Sequence, residues 1–436
     1  MKKALSSLVA IVLVFMIFLT GCGNLIGAST ESEQRKDGRV QIDFWSFWGS
    51  ETRRPVIEKI VDDFNKSQDK IFVKYTFIPF GDIWTKELAA VAAGNPPDVV
   101  ISDLGKLKHR AQKNQVENLG PYVKNDPSIK DRFLPQAWEA VLYNNEPYAL
   151  PFNLDTYMLF YNKDLFKEAG LDPDKPPKTW DEALEYSHKL DKKNGNKYER
   201  IGFYPLWDAG PDIWMVNADG EPYFDKNDKS MIADPENAEA LKWIKKFNEK
   251  YGLNTIDAFK GEFGQKQSEP FISQKVAMYV KNTTFYTQIR DYGKGMNFGV
   301  APLPERKPGS GHYSWSSGFV AEIPKGSKHV KEAYEFIKYL TDVEAQTYWG
   351  AKLFDNVANK HANDKILAQL SGEAKMVYQA AVDNLKLSVM QNMPIKAPDY
   401  DKFINPELDQ ALRGSKPPEK ALQDAQAAVL KQMAGQ

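Results

Sequence analysis

The chain has 436 residues, which at roughly 150 residues per domain predicts two to three domains and excludes one small domain. Hydrophobic residues make up 42% and charged residues 26%, with 57 basic against 58 acidic side chains, so the chain is globular and nearly neutral. That balance excludes a disordered chain and, without any basic block, leaves no footprint for nucleic acid.

Lys2 and Lys3 precede an uncharged apolar stretch from Ala4 to Leu19, followed by small residues and Cys22. This is the layout of a secretory signal over residues 1–21, too short to span a bilayer comfortably. The order Leu19-Thr20-Gly21-Cys22 resembles a bacterial lipobox, which implies that the Cys22 thiol carries diacylglycerol, with acyl chains such as palmitate, and begins the mature chain. Cys22 is the only cysteine, so no intramolecular disulfide can form. Two acyl chains at one residue suffice for stable anchoring. Residues 22–39 read as a polar tether of roughly 20–25 Å reach, and the folded part is expected from Val40. The expected location is extracytoplasmic, lipid-anchored to the bacterial cell membrane.

Val40, Ile42 and Phe44 alternate with polar neighbours and predict a strand, while Val56, Ile57, Ile60, Val61 and Phe64 behind Pro55 predict a helix. Ile71 to Phe77 reads as a second strand, Ile83 to Ala93 as a helix closed by Gly94-Asn95-Pro96-Pro97, and Val99 to Ile101 as a third strand. Such alternation implies a largely parallel sheet whose ligand sites lie beyond the carboxyl ends of the strands. Loops 45–54 and 102–106 occupy that position. Trp45, Trp48, Glu51 and Asp103 are therefore candidate ligand contacts, with domain packing as the other use of the two tryptophans.

Further along, Asp219-Gly220 reads as a hairpin turn, as does Asp225-Lys226-Asn227-Asp228. Asp234-Pro235 predicts a capped helix start, with Ala240, Leu241, Ile244, Phe247 and Tyr251 on one face. Helices are also expected over 330–340 and 419–433. Trp207, Asp208 and Trp214 form an aromatic-acidic cluster, and Trp315 precedes a strand.

The histidines at 109, 188, 312, 329 and 361 form no zinc motif, and neither a nucleophile elbow nor a P-loop occurs. Gly293-x-Gly295 with Gly299 reads as a loop. No metal and no cofactor are expected. Glycoside hydrolysis by a carboxylate pair stays open, because carboxylate separation is a three-dimensional property.

From Tyr143 the chain reads Y-N-N-E-P-Y-A-L-P-F-N-L-D-T-Y-M-L-F-Y-N-K-D-L-F-K-E-A-G-L, then P-P-K-T-W-D-E-A from Pro176. G-N-P-P-D-V-V begins at Gly94, F-I-S-Q-K-V-A-M-Y-V at Phe271, G-F-V-A-E-I-P-K-G-S-K-H-V-K-E-A-Y-E-F-I-K-Y-L-T at Gly318 and M-P-I-K-A-P-D-Y at Met393. In this order they resemble the family 1 extracellular solute-binding proteins, the sugar-binding receptors of ABC importers that include maltodextrin-binding proteins. The resemblance spans nearly all of 40–436.

It implies an α/β, periplasmic-binding-protein-like type II fold: two α/β lobes with a hinged ligand cleft, lobe one over 40–152 plus 302–345 and lobe two over 153–301 plus 346–436. It also implies a carbohydrate ligand, of di- or oligosaccharide size given the tryptophans in candidate loops, an ABC permease and ATPase on separate chains, and action as a monomer. A surface glycoside hydrolase and a receptor for a non-sugar solute are the alternatives. Asp155 matches the acidic ligand-contacting position of the family's crossover, with a turn cap as its other use. Lys281-Asn282-Thr283-Thr284 departs from the family's frequent N-G-P-W, so Asn282 is a candidate contact while the usual stacking ring is absent, with Phe285 or Tyr286 as substitutes. Trp207, Asp208, Trp214, Trp315 and Tyr400 complete the set of ligand candidates.

Overall fold

Alternation along β1 (Val40–Ser46) sends Ile42 and Phe44 into the core, and the next four elements follow the predicted order. They are α1 (Arg54–Ser67), β2 (Ile71–Phe77), α2 (Ile83–Ala92) and β3 (Val99–Asp103). The computed structural model describes residue 35 and residues 37–435; the signal segment, Cys22 and most of the tether lie outside the described residues. After β3 come the short helix α3 (Leu107–Gln112) and the long strand β4 (Ala149–Asn162). Two helices follow, α4 (Pro211–Asp219) and α5 (Pro235–Tyr251). The chain then runs through β5 (Met278–Asn282), β6 (Phe298–Ala301) and β7 (Ser314–Glu322). Helices α6 (Val330–Leu340) and α7 (Val343–Leu353), the strand β8 (Ser388–Met390) and the helix α8 (Pro418–Ala434) complete the frame.

Eight strands form one sheet in the order β6-β4-β7-β3-β1-β2, with β5 also beside β4 and β8 beside β7. The expected largely parallel sheet holds for β1, β2 and β3, and again where β8 pairs with β7. Strands β7 and β4 enter antiparallel, because the chain crosses back between two bodies there instead of closing another strand-helix-strand unit. The first body surrounds β1 to β3. The second surrounds β5 and β6, with α4, α5 and α8 packed together.

Strand β4 serves both. Its first half pairs with β7, as far as Thr156 opposite Ser316, and from Tyr157 onward it pairs with β5. Asp155 therefore lies where one body passes into the other. A Cβ at Gly318 would lie 2.0 Å from the Asn153 carbonyl oxygen, so only glycine lets β7 approach β4 here. Asn153 reinforces the junction: its amide donates to Asp355 at 2.9 Å, and its oxygen accepts the Phe319 N–H at 2.9 Å.

Some local expectations are corrected. Gly220 is the left-handed residue ending α4, with φ 82°, so Asp219-Gly220 is a helix terminus and not a hairpin turn. Asp234 stands at the N-cap of α5 without a side-chain capping bond. Residues 225–228 do form a hairpin turn, with Phe224 paired to Ser230 and the Asp225 carboxylate accepting the Asn227 N–H at 2.8 Å. The expected lobe division at 345/346 runs through α7, which holds both bodies. Trp349 packs on Trp48 and Phe152, while Phe354 beyond it packs on Tyr286 at 4.5 Å. No helix among the described residues is long and apolar enough to cross a membrane.

Candidate ligand cleft

Asp155 is the first candidate, at the junction of the two bodies. It points from the middle of β4, retains some solvent exposure, and its carboxylate accepts no hydrogen bond from the described residues; only its carbonyl is used, by Ser316 Oγ at 2.9 Å. Burial first, and then the neighbouring Asp355, push its carboxyl up to about 7, against a smaller opposing pull from Arg53. A turn-capping role is thereby removed. Asp355 itself is buried and accepts from Trp349 Nε1 at 2.9 Å as well as from Asn153.

Two residues along β4, the Tyr157 ring stands edge-on to Trp315 at 5.9 Å. Burial raises the Tyr157 hydroxyl, and the Asp155, Asp212 and Asp208 carboxylates raise it further. Asp212 opens α4; burial pushes its carboxyl up while the N–H groups of Asp212 and Ile213 pull it down. In the second body Tyr400 packs on Phe224 at 5.3 Å and Tyr223 at 6.1 Å, and its hydroxyl is raised by burial and by Asp212, Asp401 and Asp103. Asp103 ends β3 and accepts the Gly105 N–H at 2.7 Å; burial raises its carboxyl. Glu51 and Lys266, from opposite bodies, face each other at 3.8 Å.

The arrangement can accept hydrogen bonds from several hydroxyls and cover a flat apolar face with rings. Of the residues proposed from sequence, Trp315 and Asn282 stand beside Tyr157, two positions along β4 from Asp155, while Asp103, Asp208 and Tyr400 keep their place as candidates. Asp208 is committed: burial alone would raise its carboxyl, but Lys281 at 2.7 Å and the Tyr279 hydroxyl hold it below the usual range. Asn282 lies opposite Tyr157 and accepts from Thr284 Oγ1 at 2.7 Å.

Three tryptophans are core and not ligand surface. Trp48 is 1% exposed and enclosed by Phe152 and Trp349. Trp207 is stacked on Phe259 at 5.6 Å, and Trp214 is closed in by Trp180, Phe203 and Trp243 with its N–H on the Pro205 carbonyl. Trp45, half-buried, packs on Ile78, Ile83 and Val100 beneath α2. Phe285 and Tyr286, the proposed replacements for the missing ring, are both buried in the second body. Sequence reasoning missed Tyr157, Asp212 and Asp355, and it missed an aromatic rim of Phe47, Phe80, Trp84 and Phe319 at the carboxyl ends of the strands. Phe80 is 54% exposed, and Phe319 pairs with Asp103 across β7 and β3. The signal available was position: Asp212 follows Gly210-Pro211 at a helix start, and Phe80 follows β2 in the loop register already singled out after β1 and β3. No group of three or more potential metal ligands occurs among the described residues.

The family model for bacterial extracellular solute-binding proteins matches residues 48–347. The chain belongs to this family. Its members are binding proteins that work outside the cytoplasm. The chain is 26% identical over 366 residues to the arabinooligosaccharide-binding protein of Bacillus subtilis (strain 168), covering 81% of this chain and 80% of that one. It is 23% identical over 375 residues to the multiple sugar-binding protein of Streptococcus mutans, covering 78% and 80%. Among solved structures, CpMnBP1 with mannotriose bound superposes with a TM-score of 0.78 at 28% identity, covering 89% of this chain and 99% of that one. The fold is the two-lobed type II architecture of the family's sugar-binding members.

Proposed function

We propose that this protein is an extracytoplasmic receptor that captures a di- or oligosaccharide in the cleft and delivers it, as a monomer, to an ABC permease and ATPase carried on separate chains. One observation carries the reading. Asp155 sits at the junction of the two bodies with its carboxylate unspent, beside the Tyr157 and Trp315 rings. A carboxylate accepts hydrogen bonds from sugar hydroxyls, rings cover the sugar face, and closure of the bodies removes both from water. The relatives named for arabinooligosaccharides and multiple sugars, and the neighbour with mannotriose bound, support a carbohydrate ligand. The protein is a binder and not an enzyme on this reading. Incubating it with gluco-, manno- and arabino-oligosaccharides is expected to give one-to-one binding by calorimetry and no new species by chromatography. Product accumulating beyond one equivalent would establish a glycoside hydrolase instead.

The reading places the protein on the cell surface through diacylglycerol at Cys22. Cys22→Ser is expected to yield unprocessed precursor or released protein with sugar binding intact, as followed by membrane fractionation. A correctly cleaved Cys22→Ser chain that stays with the membrane fraction would overturn the anchor.

A further inference from the structure

Three consecutive residues of β4, Asp155, Thr156 and Tyr157, are held by side chains that arrive from elsewhere in the chain. Ser316 Oγ donates to the Asp155 carbonyl at 2.9 Å. The Tyr157 N–H donates to Ser314 Oγ at 3.1 Å, and the Tyr157 carbonyl accepts from Ser314 Oγ and from Asn384 Nδ2, each at 2.9 Å. Between them the Thr156 hydroxyl donates to Ser314 Oγ at 3.2 Å, accepts from Asn384 Nδ2 at 2.7 Å and lies 2.5 Å from Ser388 Oγ. Those partners are 158, 228 and 232 positions away in the chain. Ser314 opens β7, Ser388 opens β8, and Asn384 stands in the last turn of the helix Gly372–Leu385. Thr156 is fully buried, so one hydroxyl ties three distant stretches together at the point where β4 leaves β7 for β5.

We propose that Thr156 is a positioning residue of the cleft, whose hydroxyl sets the placement of Asp155 and Tyr157 and, through them, the affinity for sugar. The inference rests on the receptor reading. Side chains alternate along a strand, so Thr156 faces away from the surface that Asp155 and Tyr157 share, and being fully buried it touches no ligand itself. A strand that changes partner lacks the continuous ladder that would fix its pleat, and side-chain bonds take the ladder's place here. Ser314 and Asn384 each bond both the Thr156 hydroxyl and the Tyr157 main chain. Removing the hydroxyl therefore loosens the backbone that carries the ligand side chains, and it strands buried partners that had been satisfied. Asp155 reports the result. Its carboxyl is raised in part by Asp355, and like charges on a loosened strand move apart, which weakens that effect.

Calorimetry of Thr156→Val and Thr156→Ser with gluco-, manno- and arabino-oligosaccharides, at about pH 5 and about pH 8 and well below each melting temperature, tests the inference. In the series that binds, Thr156→Val is expected to raise Kd at least about tenfold and to flatten the pH dependence of affinity. Thr156→Ser, which keeps the hydroxyl, should stay within about threefold of the unsubstituted protein with the pH dependence intact. A Thr156→Val chain that melts earlier yet binds with unchanged Kd and pH dependence overturns the inference. An equal loss in Thr156→Ser overturns it too, since the effect would then belong to packing of the methyl group. Where Thr156→Val does not fold, Ser388→Ala decides, because it removes one half-buried partner of the hydroxyl: Kd raised at least about threefold supports the inference, and an unchanged Kd overturns it. Failure of the unsubstituted protein to bind any series counts against the receptor reading itself.

Discussion

Asp155→Ala is expected to weaken sugar binding at least about tenfold while leaving the empty protein no less stable. Charge-assisted hydrogen bonds contribute roughly 1.5–3 kcal/mol each, and each 1.4 kcal/mol is about a factor of ten in affinity. The side chain caps no turn and accepts no protein hydrogen bond among the described residues, so nothing in the fold depends on it. Its cost is visible instead. A carboxyl raised from 3.8 to about 7 by burial and by Asp355 retains, in the folded chain, a proton that the unfolded chain has already lost. Stability is lost as pH rises across that window. Asp155→Asn should therefore melt at a higher temperature than the unsubstituted protein, with a larger gain at about pH 8 than at about pH 5. Sugar affinity should rise over the same interval in the unsubstituted protein, because hydroxyl donors favour the ionised form, and should be flat in Asp155→Asn. Calorimetry and thermal melts at both pH values check this. A destabilised empty protein with unchanged affinity would remove Asp155 from the site.

Arg110→Met is expected to cost about 3–5 kcal/mol of stability, the penalty of stranding buried charge. Arg110, on α3, is buried in ion-pair contact with both Glu87 of α2 and Glu322 of β7, and it donates to Ser102 Oγ at 2.9 Å. One guanidinium cannot neutralise two carboxylates, so one proton stays in the cluster. It is assigned to Glu322, whose carboxyl is pushed up to about 8 by burial, with Arg110 opposing and Glu87 adding to the rise. The unfolded chain releases that proton near 4.5, so this cluster's contribution to stability falls as pH climbs from there to about 8. Glu322→Gln should flatten that part of the pH profile and gain on the unsubstituted protein toward alkaline pH. Denaturant unfolding across pH measures both variants. A Glu322→Gln profile parallel to that of the unsubstituted protein would place the proton elsewhere.

The first body was legible because its signals are local. Pro55 followed by apolar residues at helical spacing, or alternation through Ile42 and Phe44, fixes α1 and β1 whatever lies around them. Asp155 stood out as a candidate only through the resemblance carried by its neighbours. The tryptophans were not legible, because an indole in a loop and an indole in a core have the same sequence signature. Trp214 follows Asp212 by two positions, yet one is closed in by three aromatic rings and the other keeps some solvent exposure at the start of α4. Asp355 was hidden for a different reason: it lies about two hundred positions from β4 in the chain, and only the fold brings it beside Asp155, where Asn153 donates to it across a separation of 202. The antiparallel entry of β7 and β4 is likewise a property of how the chain returns, which no local pattern encodes.

The sheet order has a consequence for biogenesis. Strand β7 stands between β3 and β4, so the first body lacks an interior strand until residue 322 is present. Joining β3 to β7 closes a loop of about two hundred residues, and such long closures make folding slow. An exported chain gains time from this. While its early segments cross the membrane β3 has no β7 to pair with, and the topology itself delays the globule that would obstruct passage.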